Sequence, residues 1–183
     1  MNPKNPDKMS VFTQKKSGAF RSLLLWSLVL LFFSCSTSRH IEKQGGEVYD
    51  QLGVNKDRKD NSALYREAAS WYHVPHVDGG TSHKGTDCSF LVYSIYKTVY
   101  HKTLERNSAD MLRKNCKRKG KCSLKEGDLV FFSTGSSKTY INHVGIYLKD
   151  HKFVHTSTSK GVVVSDLEDA YYRRTWVCGG RVR

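Results

Sequence analysis

One cysteine and two histidines have the residue types and settings of a thiol nucleophile with its base. Cys88 stands in Gly85-Thr86-Asp87-Cys88-Ser89-Phe90-Leu91-Val92. From it, apolar side chains recur at Leu91, Val92, Ile95 and Val99, the i, i+3, i+4, i+7, i+11 spacing of a helix with one buried face. Cys88 therefore falls on the first turn of that helix. Unpaired backbone N–H groups and the positive end of the helix dipole favour an anion there, so the thiol is expected to titrate below its usual range. Taken alone, the same residue also reads as a small core side chain that happens to begin a helix.

Partners elsewhere decide between those readings. His143 opens the run His143-Val144-Gly145-Ile146-Tyr147-Leu148, and His155 lies twelve residues on, in Lys152-Phe153-Val154-His155-Thr156. Lys149-Asp150 makes a turn between the runs, so the two imidazoles can be carried by neighbouring strands. A cysteine nucleophile needs a base to take its proton, and the base needs a third polar group that fixes its ring and tautomer. Cys88, His143 and His155 fill those roles if the helix start packs on the strand bearing His143. Singly, each histidine reads as an ordinary structural residue. Two histidines and a cysteine also compete as a zinc site, although the chain has no close ligand pair of the C-x-x-C or H-x-x-x-H kind that would favour metal.

The elements that must position these residues follow from pattern. Asn61 or Ser62 caps a predicted helix running through Tyr72, with Leu64, Ala68, Trp71 and Tyr72 on one stripe. Pro75 ends it, and Gly79-Gly80 and Gly85 make the approach to Cys88. A short helix is predicted over Ser108 to Asn115, and the basic segment Lys114 to Lys121 is expected to be solvated loop. Four β-rich runs then follow: Leu129 to Phe132, His143 to Leu148, Lys152 to Thr156 and Gly161 to Ser165. Helices first and a meander of strands second predict an α+β domain, with N-terminal helices packed on an antiparallel sheet. Residues 62–183 suffice for one domain with one core.

The N-terminal part reads differently. Lys15, Lys16 and Arg21 precede an apolar run from Leu23 to Phe33 that closes on Ser34-Cys35, the pattern of an export signal over residues 1–34. The run is shorter than the roughly 20 residues a spanning helix needs, so a permanent transmembrane segment is not expected. A small residue directly before cysteine resembles a bacterial lipoprotein signal, in which Cys35 carries the lipid. Residues 35–61 are polar, with Gly45-Gly46 and the charged run Lys56-Asp57-Arg58-Lys59-Asp60, and are expected to form a flexible tether. Removing residues 1–34 takes away five basic side chains and one acidic, so the formal charge falls from +13 to +9. Anionic envelope polymers and lipid headgroups suit that charge as well as nucleic acid does. The chain has no aromatic RNA-binding signature, helix-turn-helix pattern or zinc-finger spacing, so no nucleic-acid partner is expected.

Taken together, Gly79-Gly80, Asp87-Cys88-Ser89, Gly127-Asp128-Leu129-Val130-Phe131-Phe132, His143-Val144-Gly145-Ile146-Tyr147 and Phe153-Val154-His155-Thr156-Ser157-Thr158 resemble, in order, the motifs of the NlpC-type cell-wall cysteine peptidases, which have a papain-like fold. The resemblance spans Leu64 to Val182. It implies that Cys88 is the nucleophile, His143 the general base and His155 the residue that orients it. The implied reaction is amide hydrolysis in peptidoglycan stem peptides or crosslinks through an acyl-enzyme, with the Cys88 backbone N–H as an oxyanion donor. Asp87 and Ser89 would position substrate or brace the site, though Asp87 also reads simply as a helix cap. No metal or organic cofactor is implied. The lipoprotein members of the family suggest a monomer held through Cys35 to a membrane of the bacterial envelope, the outer membrane facing the periplasm.

Two positions depart from the family pattern. His76 stands twelve residues before the nucleophile, where a tyrosine that binds substrate or stabilises the oxyanion is common. Phe90 stands two residues after it, where a small residue is usual, and must either repack beside the site or narrow it. Two other activities share these residues: peptidoglycan binding without cutting, on the same fold, and transfer of the thioester acyl group to an amine or alcohol. Outside the cytoplasm, the spacing of Cys116 and Cys122 permits a disulfide across the basic turn, which leaves Cys178 unpaired.

Overall fold

The computed structural model describes residues 46–135 and 140–183. The expected export signal over residues 1–34 and Cys35, the expected site of the lipid, lie outside the described residues. So does the first part of the expected tether, but its second part is structured. Residues 46–52 form a helix, α1, and Tyr49, Leu52 and Val54 are buried in the main core. The Tyr49 ring stacks on Tyr65 with centroids 4.4 Å apart. Past Val54 the chain is pinned by Lys149, whose Nζ donates to the Asn55 carbonyl at 2.9 Å and to both Asp60 carboxylate oxygens at 2.7 and 2.8 Å. Flexibility is thus corrected for residues 46–61. Three apolar residues in two helical turns are too few to establish a period, yet enough to join a core that other segments build.

Helix α2, Ser62–Ser70, is capped by Asn61, whose side chain accepts from the N–H groups of Ala63 and Leu64. It packs on α3, Cys88–Tyr100, the helix predicted from the apolar stripe. Between them a two-stranded hairpin, β1 Thr81–Ser82 and β2 Gly85–Thr86, leads the chain into Cys88. The predicted short helix begins as α4, Ser108–Asp110, and continues as a wider π-helical turn, Met111–Asn115.

The sheet has six antiparallel strands, β3 Cys116–Lys119, β4 Leu129–Phe132, β5 His143–Tyr147, β6 Lys152–Ser157, β7 Gly161–Asp166 and β8 Trp176–Val182, in the order β3-β8-β4-β5-β6-β7. Strands β4 to β7 are the predicted meander. The basic segment expected as loop is strand β3, paired to β8 from Cys116 opposite Val182 to Lys119 opposite Gly179. It is an outer strand, where lysine and arginine keep one side in water and are well tolerated. A short helix, α5, Ala170–Thr175, precedes β8.

Alternation along the strands divides the core. Leu129, Phe131, Val144, Ile146, Val154 and Val162 face Leu91, Val92 and Ile95 of α3. Val130, Phe132, Phe153 and Leu167 form a smaller cluster, joined by Tyr172 of α5 and by Trp176. The hydroxyl of Tyr96 donates to the Gly127 carbonyl and ties α3 to the start of β4.

The disulfide permitted by spacing is not formed: Cys88, Cys116, Cys122 and Cys178 are all free thiols. Cys116 is buried at the start of β3, while Cys122 is exposed in the turn Lys121–Ser123. One thiol is thus held in the core by strand pairing while the other faces solvent.

Candidate active site

The site begins with the cap of α3. Asp87 is extended, and its Oδ1 accepts from the Phe90 N–H at 2.7 Å and from the Ser89 hydroxyl at 2.7 Å. This arrangement starts the helix at Cys88 and leaves its sulfur against three backbone N–H groups: those of Val144, Ser89 and Cys88 itself. Val144 is the neighbour of His143, so α3 carries the thiol to the end of β5 that bears the imidazole.

The expected low thiol pKa is corrected here. Burial pushes Cys88 above its usual range, and the adjacent Asp87 carboxylate adds to the rise; the three N–H groups offset only part of it. A helix dipole acts on a site already removed from water, and the cost of desolvating the thiolate is the larger effect.

His143 and His155 lie on the sheet face that carries Phe132 and Phe153. Nε2 of His143 is 2.9 Å from Nδ1 of His155, and the rings are nearly perpendicular, at 87°. His155 is 1% exposed and stacks on Phe153 at 4.9 Å. The close approach depends on Gly145, between His143 and Tyr147: a Cβ there would lie 2.8 Å from the Phe153 ring and 3.1 Å from Cβ of His155. Burial lowers the pKa of both imidazoles, with His76 adding repulsion at His143, and His143 adding it at His155. A half-buried thiol thus lies against the N–H next to the half-buried His143, with His155 fully buried behind it.

On its far side His155 meets two residues that the sequence reading did not single out. Its Nε2 is 2.9 Å from Oγ of Ser165 on β7 and 3.0 Å from the hydroxyl of Tyr172 on α5. Neither belongs to a recognisable run of site residues, and α5 has no apolar period from which Tyr172 could have been placed.

His76 is near enough to His143 to disfavour its charged form. It bridges to Thr86 just before the nucleophile loop, and its Nε2 lies 3.6 Å from Asp78. Phe90 is accommodated by repacking: its ring meets Trp71 edge-on at 6.0 Å, lies over Tyr93 at 5.9 Å and is covered by the Arg106 guanidinium at 4.5 Å. The same guanidinium is 3.5 Å from Asp87 Oδ2. A cavity of about 260 Å³ opens over the imidazoles, lined in part by Thr134, Thr156, Ser157, Tyr171 and Tyr172. A larger one, about 710 Å³, shares Ser157 and both tyrosines with it. Among the described residues, no group of three or more His, Cys, Asp or Glu side chains is arranged to hold a metal ion.

A cysteine at the start of a helix, set beside paired histidines on an antiparallel sheet, defines an α+β protein of the papain-like class. Residues 73–181 match the model of the NlpC/P60 family, and the chain belongs to that family. It is 34% identical to a probable endopeptidase NlpC homolog of Haemophilus influenzae, over 88% of this chain and 98% of that protein. It is 33% identical to the murein DD-endopeptidase MepS/murein LD-carboxypeptidase of Escherichia coli K12, over 70% of this chain and 65% of that protein. Among solved structures, an NlpC/P60 family protein from Bacillus cereus superposes with a TM-score of 0.61 at 27% identity, covering 66% of this chain and 39% of that longer one.

Proposed function

We propose that the protein is a cysteine endopeptidase that hydrolyses amide bonds in peptidoglycan stem peptides or crosslinks, held to the bacterial envelope by a lipid on Cys35. One observation carries the reading: the Cys88 sulfur lies against the N–H next to His143, while Nε2 of His143 is engaged by His155 at 2.9 Å. That contact leaves Nδ1 of His143 as the nitrogen available to a substrate-bound thiol. The relatives' names, endopeptidase and murein endopeptidase, support the substrate class.

In the reaction, the Cys88 proton passes to Nδ1 of His143 as the sulfur attacks the amide carbon. Burial raises the thiol and lowers the imidazole, which favours the neutral pair, so that proton transfer accompanies attack instead of preceding it. The carbonyl oxygen takes the negative charge of the tetrahedral intermediate, with the Cys88 N–H and the His76 imidazole as donors. The C–N bond then breaks, and the imidazolium returns its proton to the leaving amine. Water, deprotonated by His143, cleaves the thioester and restores the thiol. His155 holds the ring of His143 throughout. Asp87 and Ser89 act through the helix start, where Asp87 holds the Phe90 N–H and the Ser89 hydroxyl.

The deciding experiment is mass analysis of muropeptides after digestion by the wild type and by Cys88→Ala. The wild type is expected to release fragments whose new termini identify the bond, and Cys88→Ala to release none. Full release by Cys88→Ala sinks the mechanism; products carrying an added amine or alcohol identify acyl transfer. For the anchor, Cys35→Ser is expected to move the protein from the membrane fraction to the soluble one; unchanged fractionation removes that part of the reading.

A further inference from the structure

The hydrogen bonds around His155 extend beyond the three residues assigned above. To accept the thiol proton at Nδ1, a neutral His143 must carry its hydrogen on Nε2. That hydrogen then points at Nδ1 of His155, which must offer a lone pair. His155 is therefore required to carry its own hydrogen on Nε2, where it needs an acceptor. The opposite assignment is equally compatible with a 2.9 Å contact between the rings, but it puts a hydrogen on Nδ1 of His143 and disables the base. Nothing in the ring pair itself selects one direction.

We propose that Ser165 and Tyr172 are positioning residues that make this selection, accepting from Nε2 of His155 and so keeping Nδ1 of His143 unprotonated. Both oxygens lie within hydrogen-bond distance of that nitrogen, at 2.9 and 3.0 Å. The Ser165 hydroxyl donates to the Tyr172 oxygen at 3.3 Å, so the serine hydrogen is turned away from His155 and its lone pairs are left facing the imidazole. The Tyr172 oxygen receives that hydrogen, and its own is free to point into the cavity that it lines. His155 is 1% exposed, so bulk water is no substitute acceptor. The rings are held in register by packing: Tyr172 meets Phe153 edge-on at 4.9 Å and Phe132 at 5.4 Å. Ser165 is fixed opposite Phe153 in the pairing of β7 with β6.

The inference rests on the reading of His143 as the base, but its first test does not depend on activity. Imidazole 15N–1H correlation spectra of the full chain are expected to show His155 and His143 both protonated at Nε2 and bare at Nδ1. A hydrogen on Nδ1 of either ring in the wild type overturns the proposal, whatever the enzyme cuts. The second test uses Ser165→Ala with Tyr172→Phe, which keeps the packed ring. The double variant is expected to lose roughly 10- to 100-fold in kcat, a share of what an oriented base contributes, with KM changed less than about twofold. Its spectra are expected to show a mixture of tautomers, and Ser165→Thr alone to retain both the wild-type spectrum and most of kcat. A double variant with wild-type spectra and kcat within about twofold of wild type refutes the relay. Inactivity of the wild type on every peptidoglycan substrate, with the expected spectra intact, counts against the proposed reaction and not against the tautomer assignment.

Discussion

At the scale of single residues, the chemistry is set by removal from water. Cys88 is held above the ordinary thiol range and His143 below the ordinary imidazole value of 6.5, in both cases chiefly by burial. In the proposed reaction, protonating His143 removes the base, so a lowered pKa moves the acidic limb of kcat/KM to lower pH. Activity is therefore expected to persist well below pH 6.5, where an unperturbed imidazole would be charged. His76 contributes to that lowering, and His76→Gln is expected to move the limb back toward 6.5 in a pH–rate profile. A limb at or above 6.5 in the wild type contradicts the account. The three residues of the proposed mechanism stand out in motif and spacing, and the structure brings them to one end of the sheet, whereas the direction of their pKa shifts is not legible in the sequence. The helix dipole can be inferred from a sequence; the depth of the site depends on what α3 and the sheet bury together.

At the scale of elements, Gly145 links strand geometry to the site. It leaves room on the face of β5 for Phe153 and His155. Gly145→Ala is expected to destabilise the fold by about 1–3 kcal/mol, the usual cost of overpacking. It should also lower kcat more than that loss of folded protein explains, since His155 is among the displaced atoms. Urea unfolding together with kcat per folded molecule checks this; a fully stable, fully active variant shows that the sheet absorbs the methyl elsewhere. Strands β4 to β7 were readable because each carries its own run of β-formers between turn residues. β3 and β8 required non-local information: Cys-Lys-Arg-Lys becomes a strand only because β8 returns beside it, and β8 lies between β3 and β4 in an order that no local pattern encodes. α5 is six residues long, too short for a period, and so Tyr172 stayed out of view.

At the scale of the molecule, the folded body begins earlier than residue 62. Tyr49, Leu52 and Val54 complete the core beneath α2, and Asp60 is paired with Lys149. A chain starting at Ser62 would expose the surface that α1 covers. Burying each such side chain contributes about 1.5–3 kcal/mol, so this truncation is expected to cost several kcal/mol. Urea titration of the full chain against the chain from Ser62 measures the difference; equal midpoints would show that α1 only rests on the surface. Polar composition concealed this segment, because a few well-placed apolar residues suffice once the rest of the core exists.

The sheet's outer strands also bear on how the protein behaves when crowded. On one side, β7 is met near its start by the chain after α2, through hydrogen bonds from His73 N to Val162 O and from Val162 N to Val74 O. On the other side, β3 presents Lys117, Arg118 and Lys119. A second copy that tried to add its own β3 there would bring like charges together along the whole length of the contact, at a separation where low salt leaves them unscreened. The basic run thus works as an electrostatic guard against strand-by-strand self-association, and its protection weakens as ionic strength rises.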